Sequence, residues 1–239
     1  EKAAELRAEA AKAETRRRTV MITGAVAVVV AILVAGVVLI KTASDNAKAR
    51  DVAAAAPPAN LVEGGILSGN TTAKVTIELY EDFMCPACKE FEVANAAQLD
   101  GWVKAGTAKV IYRPVAILDR FSEGTEYSTR ALNAIAAVMN TAPQVFPAFH
   151  KSLFDSQPAE NTTGLSDDQL IDLAVKAGAD KAAVEPAIRE LRFRTWTQTV
   201  NDEFSKAGHT GTPTIVVNGT KVENFSPANV KAAVEAAAK

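Results

Sequence analysis

The chain has 239 residues, of which 48% are hydrophobic and 23% charged, and its net charge is −2. This length suits one domain with extensions or two small domains. A net charge so close to zero creates no overall positive field, which excludes nucleic acid as an electrostatically attracted partner. The two cysteines are too few to hold together a disulfide-scaffolded fold.

Residues 1–18 are rich in Ala, Glu, Lys and Arg and contain no apolar stripe. The composition favours a helix, but such a helix has no apolar face with which to form a core. We predict a charged, solvated cytoplasmic segment, with a helix docked on a partner as the alternative.

The 21 residues from Val20 to Ile40 are all apolar, Gly or Thr. About 20 such residues cross a bilayer as a helix, whereas a cleavable signal peptide has an apolar region of roughly 7–15 residues. Residues 1–19 contain six Lys or Arg and residues 41–60 contain three, which places the N-terminus in the cytoplasm by the positive-inside rule. We predict a single-pass transmembrane helix over residues 19–41, in contact with lipid through residues 20–40; a signal sequence is the alternative.

Residues 42–60 are Ala-rich and polar and end near Pro57-Pro58, which is typical of a linker. We predict that a globular domain occupies residues 61–239, outside the cytoplasm of a cell-membrane protein. Disulfides persist in that compartment.

Both cysteines lie where a predicted strand meets a predicted helix. Residues 75–80 alternate between apolar and polar side chains, as in a strand, and Lys89–Leu99 have a helical pattern. A thiolate at the start of a helix is stabilised by unpaired N–H groups and the helix dipole, which lowers the pKa of Cys85. Pro86 suits the first helical position. Cys88, one turn later, can attack a mixed disulfide formed at Cys85, so the spacing predicts a dithiol/disulfide pair.

Other roles for the two cysteines fit less well. A structural disulfide across two residues would close too small a loop to stabilise the fold much. A zinc site needs about four ligands, and His150 and His209 lack the close spacing of a zinc finger. Two inert neighbouring thiols are the remaining alternative. We therefore predict redox chemistry with neither metal nor cofactor.

The segment after the cysteines continues as a second strand and then becomes helical. Lys109–Tyr112 and Val115–Leu118, separated by Pro114, predict a strand with an irregular end, parallel to the first because a helix connects them. Helical patterns follow at Tyr127–Met139 and Gln144–Phe154.

Further helices and a hairpin complete the predicted order. Ser166 and Gln169 form a capping-box pattern. We expect Pro186 to open another helix, whose apolar stripe belongs to the core rather than to a cofactor site. Two apolar runs flank Asn218-Gly219, a strong hairpin signal, and Ser226-Pro227 precedes a final helix.

This order resembles the thioredoxin fold with a helical insertion at about residues 122–185, as in the DsbA-like thiol-disulfide oxidoreductases. The match covers roughly residues 66–238 and depends on three motifs: Asp-Phe-Met-Cys-Pro-Ala-Cys at residues 82–88, Gly211-Thr212-Pro213-Thr214, and Asn218-Gly219. An N-terminal anchor in place of a cleaved signal resembles the members of Gram-positive actinobacteria.

The resemblance implies a role for each matching residue. Cys85 would be the exposed nucleophile and Cys88 the buried resolving thiol, with Pro86 supporting them. Pro213 would be a cis-proline facing the pair; an ordinary trans turn is the alternative. Thr212 would present its backbone to an extended substrate segment.

Three points stay open at the level of the sequence. The strongest oxidants of the family carry His where this chain has Ala87, so the direction of electron flow is not fixed by the motif. An acid beneath the cysteines often assists proton transfer, and Glu78, Glu81 and Asp82 are all candidates. His209 is a solvated loop residue or a neighbour of the active site.

Three functions follow as hypotheses. The first is an oxidase that forms disulfides in exported proteins and is reoxidised by a membrane partner of the DsbB or VKOR type. The second is a reductase or isomerase. The third is an accessory subunit of a membrane complex, such as a respiratory complex, in which the thioredoxin fold is a docking module.

Overall fold

The computed structural model describes residues 56–239 together with Met21, Gly36 and Lys41. Apart from these three residues, the predicted cytoplasmic segment, the predicted membrane helix and the linker up to residue 55 lie outside the described residues. Among the residues that are described, no helix is both long and apolar enough to cross a bilayer. The chain divides between Arg50 and Asp51 into two units, and every strand described below belongs to the second.

One mixed five-stranded sheet forms the centre of this unit. Its strands stand in the order β1-β3-β2-β4-β5, and β2 and β3 are parallel, as the sequence predicts, while the other pairs are antiparallel. The strands are β1 (Ile66–Ser68), β2 (Val75–Glu81), β3 (Ala108–Pro114), β4 (Thr214–Val217) and β5 (Thr220–Lys221).

Seven helices are assigned within residues 56–239. They are α1 (Pro86–Lys104), α2 (Tyr127–Thr141), α3 (Phe146–Asp155), α4 (Asp167–Lys176), α5 (Lys181–Arg189), α6 (Arg194–Lys206) and α7 (Pro227–Ala237), with 3-10 turns at Asp119–Phe121 and Pro143–Val145. The Ser166–Gln169 capping box is confirmed. The expectation that Pro186 opens a helix is wrong: it lies inside α5, whose N-cap is Asp180.

Two hydrophobic cores stabilise this unit, and the redox pair belongs to one of them. In the first, the alternating residues Val75, Ile77 and Leu79 of β2 pack with Phe91 of α1 and Val230 of α7. The second lies among the helices of the insertion around α2, and both cysteines belong to it. The insertion therefore packs directly against the cysteines.

The β4–β5 hairpin explains how distant parts of the chain meet. Asn218 and Gly219 have φ values of 45° and 80°, the left-handed conformation of tight hairpin turns. The Asn218 side chain also accepts a hydrogen bond of 2.7 Å from the N–H of Thr76, at the start of β2. Because β4 is antiparallel to β2, with Thr214 opposite Tyr80, the Pro213 loop lies beside the end of β2 that leads to Cys85.

Candidate active site

Cys85 occupies the N-cap position of α1. Its backbone is extended (φ −77°, ψ 114°) and Pro86 takes a first-turn position. Its carbonyl oxygen accepts hydrogen bonds from the N–H groups of Cys88 (3.1 Å) and Lys89 (3.3 Å), and from the Gln157 side chain (2.9 Å). The helix start thus fixes the backbone of Cys85, and Gln157 holds it from the insertion side.

The sulfur of Cys85 faces the loop that precedes β4. Its Sγ lies 3.2 Å from the carbonyl oxygen of Thr212, and the Thr212–Pro213 peptide bond is cis. Both cysteines are free thiols. Cys85 is 6% exposed and Cys88 is fully buried, so only the first sulfur is open to a second protein.

The two thiols differ in acidity because their surroundings differ. The pKa of Cys85 is lowered to about 7, chiefly by a hydrogen bond from the Cys88 thiol and further by the Thr212 hydroxyl and the N–H of Cys88. The pKa of Cys88 is raised well above its usual value by burial, by that same hydrogen bond and by the charge of Glu81. At neutral pH, Cys85 is therefore the nucleophilic member of the pair.

Asp82 holds three parts of the site together. One carboxylate oxygen accepts from the N–H of Met84 (2.9 Å) and the hydroxyl of Ser128 (2.7 Å), and the other accepts from the N–H groups of Ile117 (2.8 Å) and Leu118 (3.0 Å). Burial nevertheless raises the pKa of Asp82 to about 6. With both oxygens occupied by donors, this acid is a positioning group rather than a proton carrier.

Glu81 lies at the inward-facing end of β2. One of its oxygens is 3.0 Å from Nε2 of His150 on α3, and Glu92 of α1 completes a cluster of three ionisable groups. Burial raises the pKa of Glu81 and of Glu92 to about 8 each and lowers the pKa of His150. The charge of Glu81 acts on the acidity of Cys88, so Glu81 is the acid coupled to the buried thiol.

The other acid and histidine that the sequence singles out lie elsewhere. Glu78 is half-exposed and pairs with Arg113 at 2.7 Å, which leaves it committed to a salt bridge. The ring of His209 packs on Tyr80 and Phe204, at centroid distances of 4.8 and 5.3 Å. Ala87 is half-buried against the insertion core.

The sequence analysis did not assign three residues to the site: Glu92, His150 and Gln157. Glu92 carried a detectable signal, because it follows Cys88 by four residues on the same helix face. His150 and Gln157 are 65 and 72 positions from Cys85, and no local pattern connects them to it.

Comparison with known proteins gives one family match and several relatives. The family model described as thioredoxin matches residues 61–236. The chain is 31% identical over 172 residues to the serine/threonine-protein kinase PknE of Mycobacterium tuberculosis; the match covers 69% of this chain but only 30% of the kinase. The chain thus spans about a third of the length of the curated relatives matched first.

Solved structures are similar over most of the chain. BdbD from Bacillus subtilis, in its oxidised form, superposes with a TM-score of 0.68 at 24% identity, covering 77% of this chain and 98% of BdbD. Reduced DsbA from Mycobacterium tuberculosis gives a TM-score of 0.61 at 29% identity, covering 73% of this chain and 97% of that one. These similarities confirm the predicted α/β fold with its helical insertion.

Proposed function

This chain belongs to the thioredoxin family, and on that premise we propose that it is a DsbA-type thiol-disulfide oxidoreductase that introduces disulfides into exported proteins. The observation that carries the proposal is the position of Cys85: its sulfur lies 3.2 Å from Thr212, beside the cis-proline, and it is the more accessible of the two sulfurs. A substrate thiol approaching this face meets Cys85 first.

The reaction exchanges one disulfide for another. A substrate thiolate attacks Cys85 of the oxidised pair, which forms a mixed disulfide and releases Cys88 as a thiolate. A second substrate thiolate then attacks the substrate sulfur of that mixed disulfide and releases Cys85. The substrate gains one disulfide, and the enzyme retains two electrons and two protons as a dithiol.

Glu81 is the residue best suited to protonate Cys88. Its pKa of about 8 keeps it protonated at neutral pH, and it interacts electrostatically with the buried sulfur. Leaving Cys88 as a buried thiolate without a compensating charge would be unfavourable, so a proton delivered from the Glu81 carboxyl group assists its departure.

The lowered pKa of Cys85 supports the oxidising direction. Whatever stabilises the thiolate stabilises the reduced protein, which makes the disulfide a stronger oxidant. A shift from 9.0 to about 7 corresponds to about 2.7 kcal/mol, or about 60 mV for a two-electron couple. Ala87 in place of His adds nothing to this effect, so we expect a potential below that of the strongest oxidants.

A redox titration against glutathione tests the direction. We expect a potential clearly above about −270 mV, the value for thioredoxin. A potential at or below that value would replace the oxidase with the reductase or isomerase. Substrates can be identified with Cys88→Ala, which cannot resolve the mixed disulfide at Cys85, and Cys85→Ala provides the matched control that should capture nothing.

We also propose that residues 20–40 anchor the protein in the cell membrane with the catalytic domain outside the cytoplasm. The charge asymmetry around this apolar stretch supports that orientation, and a membrane reoxidant of the DsbB or VKOR type would regenerate the disulfide. Protease added to intact cells should degrade residues 61–239 and spare a tag at the N-terminus. Protection of the catalytic domain would refute the orientation.

A further inference from the structure

Glu81, Glu92 and His150 come together from three different elements beneath the cysteine pair. Glu81 ends β2, Glu92 lies on α1 and His150 lies on α3, yet one ligand atom from each lies within 4.8 Å of the other two. Proton transfer to Cys88 requires Glu81 alone. The positions of Glu92 and His150 are therefore not explained by thiol-disulfide exchange.

Two oxygens in this cluster have no hydrogen-bond partner. They are Oε1 of Glu81 and Oε1 of Glu92, both buried. Glu81 is 2% exposed, so solvent has little access to its free oxygen, whereas Glu92 is only partly buried. An unsatisfied buried polar group typically costs about 1–3 kcal/mol, which a bound cation would offset.

We propose that Glu81, Glu92 and His150 bind a divalent transition-metal ion, with Zn²⁺ the best fit. One imidazole and two carboxylates form the mixed nitrogen and oxygen ligand set that zinc accepts, whereas Ca²⁺ and Mg²⁺ prefer oxygen ligands alone. Binding would displace the protons that Glu81 and Glu92 hold in the metal-free protein, because ligating carboxyl groups must be deprotonated. The two carboxylates and a neutral imidazole then carry a charge of −2, which balances the ion. Glu81 would donate a proton to Cys88 only in the metal-free form. A buried ion is acceptable only when its charge is compensated in this way.

The distances allow coordination after a small adjustment. Ligand atoms about 2.1 Å from a tetrahedral zinc ion are about 3.4 Å apart. Since the ligand atoms lie within 4.8 Å of one another, the widest pair must approach by up to about 1.4 Å. The His150 ring is fixed by Tyr112, Phe146 and Phe154, at centroid distances of 4.8, 5.3 and 5.1 Å. The carboxylates, which rotate more freely, would therefore make the adjustment.

A route to the site exists from solvent. Glu92 and His150 both line a cavity of about 450 Å³, whose lining also includes Lys89 and Asp155. Three protein ligands leave one position of a tetrahedral ion free for water, and we assign that position to the cavity side.

Zinc binding by the full chain tests the proposal. Because thiols also bind zinc, the measurement uses the Cys85→Ser/Cys88→Ser protein, stripped of metal and titrated with ZnCl₂ in a calorimeter. We expect one zinc per chain at micromolar zinc. His150→Gln should weaken binding by at least about 100-fold, since removal of even an outer-shell partner typically costs 10–100-fold.

The chain offers matched controls for both ligand types. His209→Gln removes the only other histidine, and Glu90→Gln removes an exposed glutamate of α1; neither should change the affinity. If His150→Gln fails to fold, as judged by thermal unfolding, Glu92→Gln decides the question because its side chain is only partly buried. An absence of saturable binding, or binding that survives the loss of these ligands, would overturn the proposal and leave a cluster that holds protons instead.

Discussion

Removing the thiol of Cys88 tests where the acidity of Cys85 comes from. The hydrogen bond from Cys88 is the largest cause of the shift in the Cys85 pKa from 9.0 to about 7. Alanine offers no donor, so in Cys88→Ala we expect the pKa of Cys85 to rise towards 9.0. Cys88→Ser keeps a donor at the same position and should hold the pKa close to the wild-type value.

The size of the effect on reactivity follows from the ionised fraction. At pH 7 a thiol with a pKa of about 7 is about half ionised, and one with a pKa of 9 about one hundredth, so the thiolate falls by up to about 50-fold. The more basic thiolate is also the better nucleophile, and a Brønsted coefficient of about 0.4–0.5 restores about 6- to 10-fold. The net loss in alkylation rate at pH 7 is therefore at most about 5- to 8-fold.

The ultraviolet absorbance of the thiolate and the rate of iodoacetamide alkylation, both followed across pH, measure this directly. The two variants each contain a single cysteine, so the signal belongs to Cys85. If the alanine variant ionises at the same pH as the wild type, the helix start and Thr212 stabilise the thiolate unaided, and the role assigned to Cys88 is refuted.

Three further predictions concern stability. Between pH 6.5 and 8 the folded protein retains protons on Glu81 and Glu92, because their pKa values are about 8 against 4.5 in the unfolded chain. The free energy of unfolding should therefore fall as pH rises, by up to about 1.4 kcal/mol per pH unit for each group. In Glu92→Gln, the free energy of unfolding measured with urea should fall less steeply with pH. Asp82→Asn replaces one of two accepting oxygens with an amide donor, so either the Ile117 and Leu118 N–H groups or the Met84 N–H and Ser128 hydroxyl lose their acceptor. The change should cost about 2–4 kcal/mol, measured by urea unfolding, and an unchanged stability would refute the positioning role. Asn133→Ala removes buried hydrogen bonds to Phe193 and Ala187 and should cost about 2–4 kcal/mol while leaving the redox potential unaltered; a shifted potential would show that α2 acts on the cysteines.

Local signals explain which parts of the fold were predictable. The alternation of β2, the Ser166 capping box and the Asn218-Gly219 turn each depend on residues within a few positions of one another, and each is confirmed. The prediction that Pro186 opens a helix was wrong. Proline is common at helix starts, but here Asp180 caps α5 and the proline lies inside that helix.

The site itself was predictable only in part. The cysteines and the Pro213 loop could be paired through a resemblance, but the choice among Glu78, Glu81 and Asp82 required knowing what surrounds each carboxylate. Glu81 did offer one signal, because it stands where the apolar alternation of β2 places an inward-facing side chain. Its partner His150 comes from a helix 69 positions away, beyond the reach of any periodicity.

The hydrogen bond from Gln157 to the carbonyl of Cys85 has a consequence for attempts to simplify or transplant this protein. A chimera that grafts residues 75–104 onto a minimal scaffold, without the inserted helices, would keep the two sulfurs. It would lose the hydrogen bond that holds the backbone of Cys85. Exchange of the insertion between homologues would likewise alter how rigidly the backbone of Cys85 is held. Insertions for such hybrids should be chosen first for a side-chain amide at the position of Gln157, and only then for overall sequence similarity.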